Sequence, residues 1–228
     1  MQSRNQTLLE STYSLTHYTD IINVMLKFHS EHTGKWLAQQ AGVKHYNLKK
    51  TKVSDVISKG EEGSFTIDKN FLRYVTQYKS GLIYLYVNII SEVKKSYSCN
   101  FTGRVKNEDS LLNKLQKKRA EQDGKFPINK VLNDLLGFRM IDNNYGHNVE
   151  NLILYLEELK EKDKVRVIHK ERINRDYRGY HVYLMGKDSS FFPIELQIWD
   201  MDNETINLDS HESYKKDYTD WPEIYYKG

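Results

Sequence analysis

Two carboxylates in the chain stand where charged side chains are unusual. Asp134 directly precedes the apolar run 135–141, and Glu195 lies in the middle of the apolar run 193–199. A charged group beside or inside a buried strand needs a partner or a chemical purpose. If the two carboxylates meet in the folded chain, they form a Mg²⁺ site suited to holding phosphate. The plain alternative is a strand-end aspartate and a glutamate on an exposed sheet face, and the residues leave both open.

Cations and a hydroxyl group precede these carboxylates in the chain. Strand alternation predicts Arg104 and Lys106 on one face, and Ser110 and Lys114 lie one turn apart in the next predicted helix. Cations, a hydroxyl and a helix N-terminus that converge on one place can hold a phosphate group. The segment therefore predicts a phosphate-binding cradle. A solvated strand face followed by an ordinary surface helix is the alternative.

Arginines and tyrosines alternate in a third segment, where Arg172, Arg175 and Arg178 bracket Tyr177 and Tyr180. Aromatic rings stack on nucleotide bases, and guanidinium groups pair with phosphates. The segment therefore indicates nucleotide binding, with a charged hairpin tip and structural tyrosines as the alternative.

Composition limits the class of protein. The 228 residues are 39% hydrophobic and 29% charged, with a formal net charge of +3. The longest apolar region, residues 81–90, is shorter than the ~20 residues of a bilayer span, so we expect no membrane association. Cys99 is the single cysteine, which excludes an internal disulfide and a multi-cysteine zinc site. We expect a compact cytoplasmic protein.

The elements that must position these residues follow from hydrophobic periodicity. Helical spacing predicts helices over 15–41, 71–93, about 107–120, 149–162 and from about 207 onwards. Alternation and apolar runs predict strands over about 97–106, 135–141, 165–173, 179–185 and 193–199, with a glycine-centred turn before the strand at 179. The prediction is an α+β fold, a mixed β-sheet of about five strands flanked by helices, with a helical N-terminal extension. We expect a helical N-terminal region over 1–96, packed on a catalytic domain over 97–228.

Taken in order over about residues 97–218, these motifs resemble the nucleotidyl pyrophosphokinase domain of the RelA/SpoT family. The segment at 103–106 with Ser110 and Lys114 is similar to its ATP-binding segment, and 134–139 to its metal-binding Asp motif. Gly179-Tyr180 resembles the acceptor-stacking loop, and 195–198 the catalytic Glu strand. His211 and Lys215 fall where the family has its closing His/Lys helix.

The resemblance implies a reaction and a fold of the nucleotidyltransferase type. Pyrophosphate passes from ATP to the 3′-hydroxyl of a second nucleotide, and AMP is released. The implied donor and metal roles are an adenine sandwich by Arg104 and Arg139, phosphate binding by Lys106, Ser110 and Lys114, and Mg²⁺ binding by Asp134 and Glu195. Glu195 would also take the proton of the attacking hydroxyl. The implied acceptor-binding residues are Tyr180, Arg178, Gln197, His211 and Lys215.

Departures from the family pattern fall on the acceptor side. The family's Asn before Gly-Tyr and its His four residues after the Tyr are replaced by Arg178 and Leu184. Its Arg after the Glu strand is replaced by Trp199, which Asp200 follows. Loss of donors from a site that must hold a diphosphate is unfavourable. This pattern resembles the toxic branch of small alarmone synthetases, several members of which modify the 3′-terminal adenosine of tRNA.

The resemblance to that branch implies a translation-inhibiting toxin that acts on the CCA end of tRNA and has a cognate antitoxin protein. The Lys-rich stretches at 44–52 and 117–119 could hold the acceptor stem, although ordinary solubility is the preferred explanation for any one of these lysines. A synthetase of guanosine or adenosine alarmones is the second interpretation. An inactive RNA- or protein-binding module is the third, and the presence of both Asp134 and Glu195 argues against it.

Overall fold

A computed structural model describes residues 13–40, 45–61, 64–162 and 165–210. The helices are α1 (Leu15–Ala38), α2 (Lys69–Ser80), α3 (Leu82–Ser96), α4 (Glu108–Ala120), α5 (Ile128–Val131) and α6 (Tyr145–Lys162). The strands are β1 (Ile57–Lys59), β2 (Phe65–Ile67), β3 (Phe101–Val105), β4 (Leu136–Asp142), β5 (Val167–Asn174), β6 (Tyr177–Leu184) and β7 (Ile194–Asp200). Residues 204–210 are helical as well. None of the helices in these ranges is long and apolar enough to cross a bilayer.

The main sheet has five strands in the order β3-β4-β7-β6-β5. Strands β4 and β7 are parallel, and the other three pairs are antiparallel. The predicted α+β class and mixed five-stranded sheet are therefore confirmed. The β4–β7 pair brings the two segments that carry the predicted carboxylates side by side, with Gly137 opposite Glu195.

The two faces of this sheet differ in chemistry, because successive side chains of a strand point to opposite sides. One face belongs to the apolar core and carries Phe101, Phe138, Met140, Val182, Leu184, Leu196 and Ile198. Helix α3 contacts β3, and α6 contacts β5 and β7. The other face, here called the polar face, carries Arg104, Arg139, Glu195, Gln197, Trp199, Tyr177, His181 and Tyr183.

The N-terminal helices pack into the same hydrophobic core as the sheet. Helix α1 is tied to the end of β4, because the Tyr18 hydroxyl donates a hydrogen bond to the buried Asp142 carboxylate. The single helix predicted over 71–93 is two helices, α2 and α3, that meet at Gly81. A short antiparallel pair, β1–β2, was not predicted. The predicted division of the chain at residues 96 and 97 stays a prediction.

The turn before β6 differs from the prediction. Gly179 lies inside β6, and the chain turns at Arg175 and Asp176 instead. Arg175 adopts a left-handed φ of 53° there, which a short tight turn imposes on a residue without glycine's freedom. His211 and Lys215 lie outside the described residues.

Candidate active site

Glu195 lies in the middle of β7 on the polar face, and it is buried. His181 Nδ1 donates to its Oε1 at 2.8 Å, and the Gln197 amide donates to its Oε2 at 2.9 Å. Burial alone would raise the pKa of the Glu195 carboxyl, but these hydrogen bonds hold that pKa below its usual range. The side chain is therefore an ionised, fixed carboxylate.

Asp134 lies just ahead of β4, held by two lysines. Lys106 Nζ is 2.8 Å from Oδ2, and Lys114 Nζ is 2.9 Å from Oδ1. The backbone N–H of Lys106 donates to the Leu135 carbonyl at 2.8 Å, which anchors the end of β3 beside Asp134. Although burial would raise the pKa of Asp134, the two ammonium groups hold that pKa well below its usual range. Lys114 also donates to the Asn133 side chain at 3.2 Å.

Asp134 directly precedes the start of β4, and Glu195 lies opposite Gly137 of that strand, so the two carboxylates belong to the same part of the sheet. The charge of Asp134 acts to raise the pKa of Glu195. Since β4 begins at Leu136, Asp134 lies outside the strand and is free of its alternation. Among the described residues, no group of three or more His, Cys, Asp or Glu could hold a metal. Two carboxylates alone suit Mg²⁺, which binds proteins through one or two carboxylates together with substrate phosphates. The donor set therefore fits a Mg²⁺ ion that arrives with a nucleotide.

The arginines predicted to hold adenine lie on the polar face of adjacent strands. Arg104 is exposed on β3, opposite Gly137 of β4. Arg139 is half-buried, with its guanidinium carbon 3.5 Å from the centre of the Trp199 ring and Nη2 donating to Gln197 Oε1 at 3.3 Å. Burial lowers the pKa of Arg139 to about 10, so the group stays cationic at neutral pH.

Ser110 lies in the first turn of α4. Its backbone N–H donates to the side chain of Asn107, the helix cap, at 2.8 Å. Glu108 and Asp109 share this first turn, so negative charge already faces the positive end of the helix dipole. The cations of the predicted cradle are therefore the two lysines that bind Asp134. Lys114 lies one turn further along α4, and Lys106 lies at the end of β3.

The structure does not bring Tyr180 and Arg178 to Glu195. Tyr180 is buried on the apolar side of the sheet, where its hydroxyl and His169 Nδ1 are hydrogen-bonded at 2.6 Å. Arg178 shares that side and pairs at 2.9 Å with Glu171 of the neighbouring strand. Gln197, the remaining predicted acceptor residue in the described chain, lies on the polar face beside Glu195.

Tyr177 and His181 are aromatic residues of this site that were not predicted to bind the acceptor: the sequence singled out Tyr177 only as one of the interleaved tyrosines, and His181 not at all. The Tyr177 hydroxyl and His181 Nε2 are 2.6 Å apart, and His181 in turn holds Glu195. His181 follows Tyr177 by four residues, which is the Tyr-to-His spacing that the family resemblance expects. If the family's acceptor tyrosine is aligned with Tyr177, its histidine falls on His181. If it is aligned with Tyr180, an alignment called here the Tyr180 register, the histidine is replaced by Leu184. Strand alternation was the available signal, because positions 180, 182 and 184 are apolar or aromatic, whereas 177 and 181 can share a polar face.

The described parts of the two basic stretches differ in their contacts. Lys118 pairs with Glu121, and Arg119 Nε donates to the Ile57 carbonyl at 2.8 Å. Lys49 and Lys50 are exposed. The polar face itself carries more cations at its edge, because Lys170 and Arg172 of β5 are exposed opposite His181 and Gly179.

The chain matches a family model, and its structure is similar to solved structures. A model of the region found in RelA/SpoT proteins matches residues 103–219. The structure is similar to the small alarmone synthetase 1 from Bacillus subtilis, at 20% identity over 69% of this chain and 85% of that chain, with a TM-score of 0.43. It is also similar to the small alarmone synthetase 2 from the same organism, at 20% identity over 68% and 86%, with a TM-score of 0.40. The first of these proteins bound to AMPCPP matches at 19% identity over 69% and 84%, with a TM-score of 0.37.

No curated protein matches the sequence. The matched region 103–219 spans more than half of the sequence and includes both carboxylates and the lysines around them. The chain therefore belongs to the RelA/SpoT family.

Proposed function

We propose that this protein transfers pyrophosphate from ATP to the 3′-hydroxyl of the 3′-terminal adenosine of tRNA. One observation carries the proposed transfer: Lys106 and Lys114 lie on the two oxygens of Asp134 just ahead of β4, and the ionised Glu195 lies opposite Gly137 of that strand. Phosphoryl transfer depends mainly on alignment and on neutralising charge at the moving oxygens. Paired carboxylates and lysines supply both.

In this proposal the donor binds by exchange of partners. Lys106 and Lys114 form ion pairs with the β- and γ-phosphates of ATP and no longer with Asp134, so the Asp134 carboxylate can bind another cation. Asp134 and Glu195 would then hold Mg²⁺, which would neutralise phosphate charge when bound. Arg104 and Arg139 would stack on adenine. The acceptor 3′-oxygen attacks the β-phosphorus as its proton passes to Glu195, and the bond between the β-phosphorus and the α,β-bridging oxygen breaks to release AMP.

The choice of tRNA as the acceptor rests on the end of β7. Trp199, which Asp200 follows, stands where the family has an arginine, so a cation that could hold an acceptor diphosphate is absent at that position. The end of tRNA offers a base and a free 3′-hydroxyl without a terminal diphosphate. Lys170 and Arg172, exposed at the edge of the polar face, suit its phosphate backbone. The replacements at Arg178 and Leu184 do not support this acceptor, because they are departures from the family pattern only when that pattern is aligned on Tyr180.

A second candidate function is synthesis of a guanosine alarmone from GDP or GTP. The Tyr177–His181 pair favours it, because the pair restores the tyrosine-to-histidine spacing of the family's acceptor loop. Both candidates share the donor site and differ only in the acceptor.

The experiment is to incubate the protein with γ-labelled ATP and, in parallel, deacylated tRNA, GDP, GTP or unlabelled ATP. We expect label in tRNA and none in tRNA that ends in 3′-deoxyadenosine, because that end lacks the attacking hydroxyl. Glu195→Gln is the catalytic control and should give no labelled product. Transfer to tRNA should also fall steeply between about 50 and 200 mM salt, whereas a compact GDP site should respond less.

Efficient transfer to GDP or GTP, with none to tRNA, would overturn the tRNA acceptor and establish the second candidate. Transfer to no acceptor would reject both. If tRNA is the acceptor, the pyrophosphate blocks the hydroxyl group that carries the amino acid, and translation stops. The proposal therefore makes the protein a cytoplasmic toxin, and expression should arrest growth unless a cognate antitoxin is present.

A further inference from the structure

Trp199 contacts both halves of the candidate active site. Its side chain is fully buried in β7 on the polar face. The Arg139 guanidinium carbon lies 3.5 Å from the centre of its ring, and its Nε1–H donates to the Tyr177 hydroxyl at 3.1 Å. Arg139 belongs to the donor side of the proposed reaction, and Tyr177 lies on the acceptor side.

Gly179 permits this arrangement. A Cβ atom at position 179 would lie 2.8 Å from the Tyr177 hydroxyl oxygen and 2.9 Å from Cδ1 of Trp199. These separations are too short for a Cβ atom, so a glycine at position 179 is what lets the side chains of Tyr177 and Trp199 approach each other over β6. The contact between them is therefore specified by three positions.

The hydrogen bonds from Trp199 have a defined direction. An indole N–H can only donate, so the Tyr177 oxygen accepts from it. A carboxylate can only accept, so His181 Nδ1 carries the proton that it donates to Glu195. The Tyr177 oxygen accepts from the indole, and its own hydrogen is directed at His181 Nε2, which lies 2.6 Å from the hydroxyl oxygen. The chain of donors runs from Trp199 through Tyr177 and His181 to Glu195.

We propose that Trp199 is a positioning residue that holds Arg139 against the donor nucleotide and orients Tyr177 toward the acceptor. This inference rests on the proposed pyrophosphate transfer and adds a residue that couples its two substrate sites. The face of the indole attracts the guanidinium, and its edge fixes the tyrosine hydroxyl. An arginine at this position, as the family has, would set a second cation against Arg139.

The two contacts can be separated by substitution. Trp199→Phe keeps an aromatic face for Arg139 and removes the N–H, so ATP affinity by calorimetry should stay within about twofold. The KM for the acceptor should rise by roughly three- to tenfold with a smaller change in kcat, because one hydrogen bond to Tyr177 is lost. Trp199→Leu removes both contacts, so ATP affinity should also fall, by about fivefold.

A double variant tests whether Trp199 acts through Tyr177. Tyr177→Phe removes the acceptor of the indole N–H, so adding Trp199→Phe to it should cause no further loss. Trp36→Phe is the matched control, since Trp36 is a buried tryptophan whose N–H has no hydrogen-bond partner among the described residues. Trp36→Phe should change neither the affinity for ATP nor the KM for the acceptor.

The proposal would be overturned if Trp199→Phe weakened ATP binding as much as it raised the KM for the acceptor, or if it changed neither value. Additive effects of Trp199→Phe and Tyr177→Phe on the acceptor KM in the double variant would overturn it as well. ATP affinity is measured without an acceptor, so the donor half is decided even if no acceptor is modified. In that case the proposed function fails, and the acceptor half is decided by the affinity of the variants for tRNA and GDP in the presence of a non-hydrolysable ATP analogue.

Discussion

Lys106 and Asp134 form an ion pair with Nζ 2.8 Å from Oδ2, and Lys114 holds the other oxygen of the same carboxylate at 2.9 Å. The three side chains are largely buried, with exposed fractions of 11%, 15% and 18% for Lys106, Asp134 and Lys114. Two ammonium groups on one carboxylate leave a net positive charge. The cluster is therefore stable without ligand and still attracts phosphate.

Asp134→Asn should abolish transfer and also destabilise the fold. It leaves two buried ammonium groups without their carboxylate, and breaking a buried ion pair in this way costs about 3 kcal/mol or more. Urea unfolding at pH 7 measures this loss. Glu195→Gln is the comparison and should also abolish transfer. Its amide oxygen can still accept from His181, but its NH2 group would face the Gln197 NH2 group, so it should lower stability by less than Asp134→Asn does. Near-normal turnover by Glu195→Gln would exclude this glutamate as the catalytic base.

Arg104→Ala and Arg139→Ala should each weaken ATP binding by on the order of 1 kcal/mol, about fivefold in Kd. Their effects on stability should differ. Arg104 is exposed, whereas Arg139 packs on Trp199 and Gln197, so only Arg139→Ala should lower the free energy of unfolding. Calorimetry with ATP and a thermal melt of each variant provide both values. Unchanged ATP affinity in both variants would rule out the adenine sandwich.

Tyr177→Ala and Tyr180→Phe test which tyrosine faces the acceptor. If Tyr177 stacks on the acceptor base, Tyr177→Ala should reduce acceptor affinity by roughly 1–3 kcal/mol, since that is the value of stacking one base on an aromatic ring. ATP affinity should persist. Tyr180→Phe removes only the hydroxyl bonded to His169, on the opposite side of the sheet, so transfer should be little changed.

Loss of transfer in Tyr180→Phe with normal activity in Tyr177→Ala would instead support the Tyr180 register. A steady-state titration with tRNA and with GDP distinguishes the outcomes for either acceptor.

Stability should fall in mildly acid solution because of His29. Its Nε2 is 2.8 Å from the Phe192 carbonyl, and burial lowers the pKa of the ring from 6.5 to about 4. Between these pH values the unfolded chain binds a proton that the folded chain excludes. The free energy of unfolding should therefore decrease as pH falls from about 6.5 to about 4, by up to about 1.4 kcal/mol per pH unit.

His29→Gln retains a donor for the Phe192 carbonyl and cannot titrate. Urea unfolding of both proteins at several pH values isolates the histidine, because every other titrating group is common to the pair. Their difference in stability should be constant above about pH 7 and change below it. Parallel curves down to pH 4 would show that His29 binds its proton equally in the folded and unfolded chains.

The kinds of secondary structure and the carboxylates were predictable from the sequence, because both depend on local information. The alternation over about 97–106 and the apolar run 193–199 correspond to β3 and β7, and helical spacing predicted α1, α4 and α6 with small shifts of their ends. Asp134 was noticeable because it precedes a buried run. These signals lie within a few residues of each other in the chain.

Tertiary structure decided which side chains meet at Glu195. Tyr177 and Tyr180 are three residues apart, and an odd separation in a strand places two side chains on opposite faces. The pairing of β6 with β7, in which His181 lies opposite Gln197, puts Tyr177 on the polar face and Tyr180 in the core. Together with the pairing of β4 with β7, it brings Trp199, Arg139 and Tyr177 together from three strands. Such contacts depend on strand order and register, which residues distant in the chain fix only when they pack together.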